Sequence, residues 1–271
     1  MHQYLFYIGD FPVRTYGLVL SISIILATGV GYFFAKQDGH GYEKHIVDIG
    51  IYGGIAGLLG ARLWDVFFFD WEYYQNHLTE ILNVWQGGMA VQGGLLLGAL
   101  TGIWYSRAHK LDTLLLADLL APAMILGQAL GRCANLLNGD AFGAPTGGSY
   151  GIVYPDTTLA HHTYGSQPLW PAEVWEGQLD VVIFALLLIF RSTNHAKGQC
   201  FALYIMLYSV ARFFLEYLRG DYVNLAFDML KSAQVTAAAA FLLSGCAFLW
   251  LGFRNRQNIE GGNRSKHAAK T

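Results

Sequence analysis

Long apolar runs alternate with short polar breaks along this chain, and the runs share one length. Segments of about 20 residues, enough for a helix to cross a bilayer, fall near 15–35, 46–69, 88–106, 112–135, 171–190, 199–218 and 233–253. The third is short and glycine-rich, and reads either as a full crossing or as a re-entrant segment. The pattern predicts an all-α integral membrane protein of about seven transmembrane helices. Residues 1–253 would form the membrane domain, with an extracytoplasmic loop or cap at 136–170, and residues 254–271 a short basic, irregular tail. No internal repeat or domain linker interrupts it.

Charge gives the orientation. Lys36 and Lys44, Arg107 and Lys110, and Arg191 and Lys197 follow the first, third and fifth segments; Arg254, Arg256, Arg264, Lys266 and Lys270 lie in the tail. The connections 70–87 and 136–170 hold no Lys or Arg. Positive charge concentrates on the cytoplasmic side, so the N-terminus is expected outside and the C-terminus in the cytoplasm. The first segment lacks a basic leader and a small-residue cleavage site, and is expected to be retained.

Composition agrees: 54% hydrophobic, 13% charged, mean hydropathy +0.34, values foreign to a soluble domain. A formal charge of −2 offers nucleic acid nothing. Cys133, Cys200 and Cys246 are scattered, and His161 and His162 are adjacent while the other histidines are spread out. Neither a disulfide framework, a metal site nor a cofactor is expected. Nucleophile elbows, phosphate-binding loops and zinc-protease motifs are missing from the sequence.

Small residues recur every fourth position at Gly53 and Gly57, at Gly94, Gly98 and Gly102, and at Gly127 and Gly131, a spacing that lets helices approach closely. Trp71, Tyr73, Tyr74 and Trp85 suit an interfacial aromatic belt.

Chemistry concentrates in Gly131–Gly143, where Arg132, Asn135 and Asn138 stand at the margin of an apolar run. Polar groups there are costly to desolvate and need partners or a task. Arg132 has no acid three or four residues away. Its planar fork suits a phosphate; a carboxylate on another helix would satisfy it equally. With the topology above, Tyr16, Arg62, Gln92, Arg132 and Arg212 fall in one leaflet, as a pocket for an anionic lipid headgroup requires. Each has a plainer reading. Arg62 could pair with Asp65, Arg212 and Arg219 with Glu216, and Tyr16 could be an interfacial anchor. Asp48, Asp118 and Asp180 are expected to be satisfied inside the bundle, and Glu173 and Glu176 to favour a helix start.

These motifs resemble the prolipoprotein diacylglyceryl transferase family. Gly131–Gly143 is similar to its signature Gly-Arg-x-Gly/Ala-Asn-Phe-x-Asn-Gly-Glu-x-x-Gly, with Leu136 and Asp140 in the Phe and Glu places. Thr15–Leu18, Gly60–Arg62, Trp85–Gly94, Trp170–Glu176 and Arg212–Asp221 resemble further family segments, in order. The resemblance implies a multi-pass enzyme of the bacterial plasma (inner) membrane, with its active site toward the outer leaflet. It would move diacylglycerol from phosphatidylglycerol to the lipobox cysteine of a prolipoprotein signal peptide, making a thioether. Carried over, Arg132 and Arg212 would hold the phosphate, with Asn135 and Tyr16 bonding nearby. Asn138, Gly143, Arg62, Glu216 and Arg219 would complete the lipid site. The departure is Gln92, where family members carry His or Tyr; an amide cannot take a proton at neutral pH. His161 or His162 could replace that base, or the arginine field could acidify the thiol. Two rivals stand beside the enzyme: a lipid-binding protein that has lost transfer, and a transporter of anions.

Overall fold

The computed structural model describes residues 1, 4–9, 11–84, 87–221, 225–226 and 230–268. Trp85, Gln86 and Lys270 lie outside them. All seven expected segments are helical. The helices are α1 (Thr15–Asp38), α2 (Glu43–Trp64, prolonged by a π turn, Asp65–Phe69), the short α3 (Trp71–Tyr74), α4 (Val91–Ala108), α5 (Thr113–Asn138), the short α6 (Leu159–Tyr164), α7 (Ala172–Arg191), α8 (Gln199–Leu215, prolonged by a 3-10 turn, Glu216–Leu218) and α9 (Ser232–Ala268). The all-α expectation needs one amendment. An antiparallel hairpin, β1 (Tyr4–Ile8) with β2 (Phe11–Arg14), precedes α1, and β3 (Leu225–Ala226) pairs with β4 (Leu230–Lys231) before α9.

Five helices among the described residues are long and apolar enough to cross a membrane: Thr15–Asp38, Glu43–Phe69, Thr113–Asn138, Gln199–Leu218 and Ser232–Gln257. α4 and α7 fall outside that set. α7 carries Glu173, Glu176 and Asp180, and all three are buried, so its charge faces protein. α9 runs through 254–268, where an irregular tail was expected. Helical hydrogen bonding propagates from an established helix at little cost per residue, and the polar residues here include no proline.

The chain divides into two compact units, residues 28–116 and residues 1–27 with 117–271. In the first, α2 and α4 cross through their glycine rows. A Cβ at Gly60 would stand 2.4 Å from the Gly93 carbonyl oxygen, and one at Gly93 2.1 Å from that of Gly60. Only backbones without side chains pack this closely. Asp48 accepts the Tyr105 hydroxyl at 2.5 Å.

In the second unit, α5, α7 and α8 enclose a core of Ala121, Ile125, Ile183, Leu187, Cys200 and Tyr204. Asp118 accepts the backbone N–H groups of Gly198 (2.6 Å) and Phe201 (2.8 Å), and so caps α8. Within the stretch 136–170, Phe142, Tyr154, Ala160 and Leu169 form a small core of their own.

Candidate functional site

The site grows from the end of α5. At Gly177, α7 comes so near α5 that a Cβ there would stand 3.2 Å from Cβ of Arg132. That approach sets Glu176 against Arg132: Nη2 donates to Oε1 at 2.5 Å. Arg132 Nη1 donates to Asn135 Oδ1 at 3.1 Å. Of the two readings open to Arg132, the structure shows the carboxylate of another helix.

Glu176 does more than neutralise one arginine. Its Oε1 also accepts the Tyr208 hydroxyl at 3.2 Å, and its Oε2 lies 3.6 Å from Nη1 of both Arg212 and Arg219. Three guanidinium groups thus surround one carboxylate that is 1% exposed. Arg212 Nη2 meets Glu216 Oε2 at 2.8 Å. Arg219, expected beside Glu216, instead forks onto Asp221 through Nε (2.8 Å) and Nη2. The sequence reading gave Glu176 a helix-start role alone and gave Tyr208 and Asp221 no site role. The legible signal for Glu176 was its company, Glu173 and Asp180, three acids on one face of an apolar helix.

The signature loop frames the cluster. Asn135 Nδ2 and Asn138 Nδ2 donate to the two oxygens of Asp140, at 2.8 and 2.9 Å. Asp140 thereby accepts both asparagines, and Asn135 links it to Arg132. Gly139 turns the chain with φ +74°. The loop then docks on the segment carrying Arg219: Gly220 N–H donates to Phe142 O (3.1 Å) and Ala144 N–H to Leu218 O (2.7 Å). Gly143 is required by contact, because its Cβ would stand 2.2 Å from the Trp170 carbonyl oxygen. Tyr16, half-buried near the start of α1, is near enough for the charges of Asp140 and Arg132 to act on its hydroxyl. From the small core of 136–170, Tyr154 donates to the buried Glu173. Burial, with Glu173 beside it, holds the Tyr154 phenol well above its usual pKa.

Several donors in this cluster are unspent. Among the described residues, Arg132 Nε, Arg212 Nη1 and Arg219 Nη1 are buried without a hydrogen-bond acceptor. Arg212 Nη1 and Arg219 Nη1 face Glu176 Oε2 at 3.6 Å, an ion-pair distance longer than a hydrogen bond. Guanidinium donors without an acceptor are expensive, and donors from three arginines suit an oxyanion.

Arg62 and Gln92 belong to the other unit. Arg62 is buried and donates to four backbone carbonyls: Ile81 (2.8 Å), Glu80 (2.7 Å), Gly87 (2.7 Å) and Gly88 (2.9 Å). Its guanidinium also lies 4.9 Å from the Tyr74 ring centroid. Its donors thus hold the 70–90 loop. Tyr74 is buried beneath it rather than part of an exposed belt, while Trp71 and Tyr73 are exposed. Gln92 is exposed on the first turn of α4.

The family model for prolipoprotein diacylglyceryl transferase matches residues 3–251. This chain belongs to that family. A relative from Clostridioides difficile is 33% identical over 259 residues, covering 96% of this chain and 99% of its own. One from Staphylococcus epidermidis is 34% identical over 245 residues, covering 88% and 85%. One from Geobacillus kaustophilus is 33% identical over 247 residues, covering 90% of each. All three are named phosphatidylglycerol–prolipoprotein diacylglyceryl transferase. The family and the five apolar helices place this chain in a membrane.

Proposed function

We propose that this chain transfers the diacylglyceryl group of phosphatidylglycerol to the lipobox cysteine thiol of prolipoproteins. The observation that carries the reading is the cluster of Arg132, Arg212 and Arg219 around Glu176 in a member of this family. The thiolate sulfur attacks the glycerol carbon that bears the phosphate ester. A C–S bond forms, the C–O bond to phosphate breaks, and glycerol phosphate departs with the added negative charge. Arginines placed where that charge develops lower the barrier, and their unspent N–H groups are the donors for the phosphate oxygens. Asn135 and Tyr16 orient the headgroup, and Asn138, Asp140 and Gly143 hold the loop above it.

The thiol, with a free pKa of about 8.5, must lose its proton, and Gln92 cannot take it. The arginine field raises the thiolate fraction instead. In the same reading α4 and α7 also cross the bilayer, giving seven spans. The N-terminus is outside, and the site faces the outer leaflet of the bacterial inner membrane.

Purified protein in phosphatidylglycerol vesicles, given a lipobox peptide, tests this by mass spectrometry. The expected result is a diacylglyceryl adduct on the cysteine peptide, none on its Cys→Ser counterpart and none with Arg132→Ala. Gln92 favours a second reading, lipid binding without transfer. Phosphatidylglycerol retained by folded protein with no adduct would establish that reading in place of the first.

A further inference from the structure

Apart from Tyr208, the side chains that reach the cluster from α8 and the turn after it leave one short stretch, Arg212 to Arg219. Carbonyls at a helix end run short of donors from their own helix; the Glu216 carbonyl takes a long bond from the Arg219 N–H at 3.3 Å and has room for a second donor. The end of β4 and the first turn of α9 supply it. Lys231 Nζ donates to the carbonyls of Glu216 (2.8 Å) and Arg219 (2.7 Å), and lies 3.9 Å from Glu216 Oε1. Gln234, 1% exposed, donates to the Phe213 carbonyl at 3.3 Å, while its own oxygen accepts the Lys231 N–H at 3.0 Å. Lys231 of β4 and Gln234 of α9, whose amide oxygen holds the Lys231 N–H, thus cap the end of α8 together. A cation is also the favoured charge at that end.

We propose that Lys231, braced by Gln234, is a positioning residue for the anion site, resting on the phosphate-binding reading above. It sets the backbone from which Arg212 and Arg219 reach Glu176 and the substrate, and from which Glu216 reaches Arg212. An arginine side chain is long, so a small shift at its Cα moves the guanidinium off its target, and misplacement by 1 Å can cost about 10²-fold in rate.

A matched clamp at the opposite end of the same helix pair supplies the control. Gln199 accepts the Ala196 N–H at 2.8 Å and donates to the Phe248 carbonyl at 3.0 Å, far along α8 from the cluster. The experiment compares Lys231→Met, Lys231→Arg, Gln234→Leu and Gln199→Leu in the full-length chain. It reads kcat/KM for phosphatidylglycerol, thermal midpoint and lipid retention by native mass spectrometry.

Lys231→Met and Gln234→Leu should lose about tenfold or more in kcat/KM, and Lys231→Arg should stay within about threefold of wild type. Gln199→Leu should lose stability and keep its kcat/KM. Wild-type kcat/KM in Lys231→Met, or losses in Lys231→Met and Gln199→Leu that simply follow their stabilities, would overturn the proposal. Wild-type protein that makes no adduct counts against transfer instead. Lipid retention then decides for Lys231: weaker retention in Lys231→Met supports it, and equal retention or none in either protein ends it.

Discussion

Arg132 of α5 and Glu176 of α7, 44 residues apart, meet at 2.5 Å, and the same carboxylate faces Arg212 and Arg219. Glu176 is the one carboxylate all three arginines share, and the only one that Arg132 meets among the described residues. Glu176→Gln keeps the shape and removes the charge, leaving Arg132 without a carboxylate while Arg212 keeps Glu216 and Arg219 keeps Asp221. Breaking a buried pair in this way costs about 3–5 kcal/mol. The expected outcome is a lower thermal midpoint, with a loss of transfer larger than the stability loss explains. Unchanged stability in Glu176→Gln would mean the arginines are neutralised elsewhere.

Gly143→Ala tests the seat of the signature loop. Its Cβ would meet the Trp170 carbonyl oxygen at 2.2 Å, so either the loop or the start of α7 must move. Forced overpacking typically costs about 1–3 kcal/mol. A midpoint decrease together with a raised KM for phosphatidylglycerol is the expected pair of effects, measured by melting and steady-state kinetics. A variant indistinguishable from wild type would show that the loop gives freely.

Arg62→Met should act on a loop, not on the phosphate. It removes donors from four carbonyls on half-buried or exposed residues; an acceptor left unpaired costs about 1–3 kcal/mol when buried and less where water reaches it, as it does here in part. Limited proteolysis should cut faster between residues 70 and 90. A phosphatidylglycerol KM that rises with no change in cleavage would return Arg62 to the lipid site.

Gln92→His tests whether this position faces the reacting thiol. An imidazole there has a pKa near 6.5 and can take a proton at pH 7. The rate should be kept or raised, most visibly below pH 7.5, where little thiolate forms unaided. Complete loss of transfer would mean that the position is built around an amide.

Much of this was legible because membrane helices announce themselves. Apolar runs of fixed length marked all seven long helices, five of which are long and apolar enough to cross a membrane. The glycine spacing at Gly57 and Gly94 marked surfaces that do meet, with Gly60 and Gly93 at the tightest crossing. Arg132, Asn135 and Asn138 stood out as polar groups on apolar ground. Partners were harder. Glu216 lies four residues from Arg212 and was readable as its mate. Arg219 sits three residues from Glu216, yet its fork closes on Asp221. The chain past Glu216 leaves the α-helix, and with it the spacing on which that expectation rested.

The sequence by itself determined the helices, their apolar faces and which side chains would need a partner in the bilayer. Those properties are local, set by spacing along one segment. Only the tertiary structure decided the pairings: Arg132 with Glu176 across the Gly177 contact, Arg62 with loop carbonyls, and Lys231 with the end of α8. Each depends on where two distant segments come to lie. A guanidinium or an ammonium accepts any nearby oxygen, so its own position in the sequence does not choose which one.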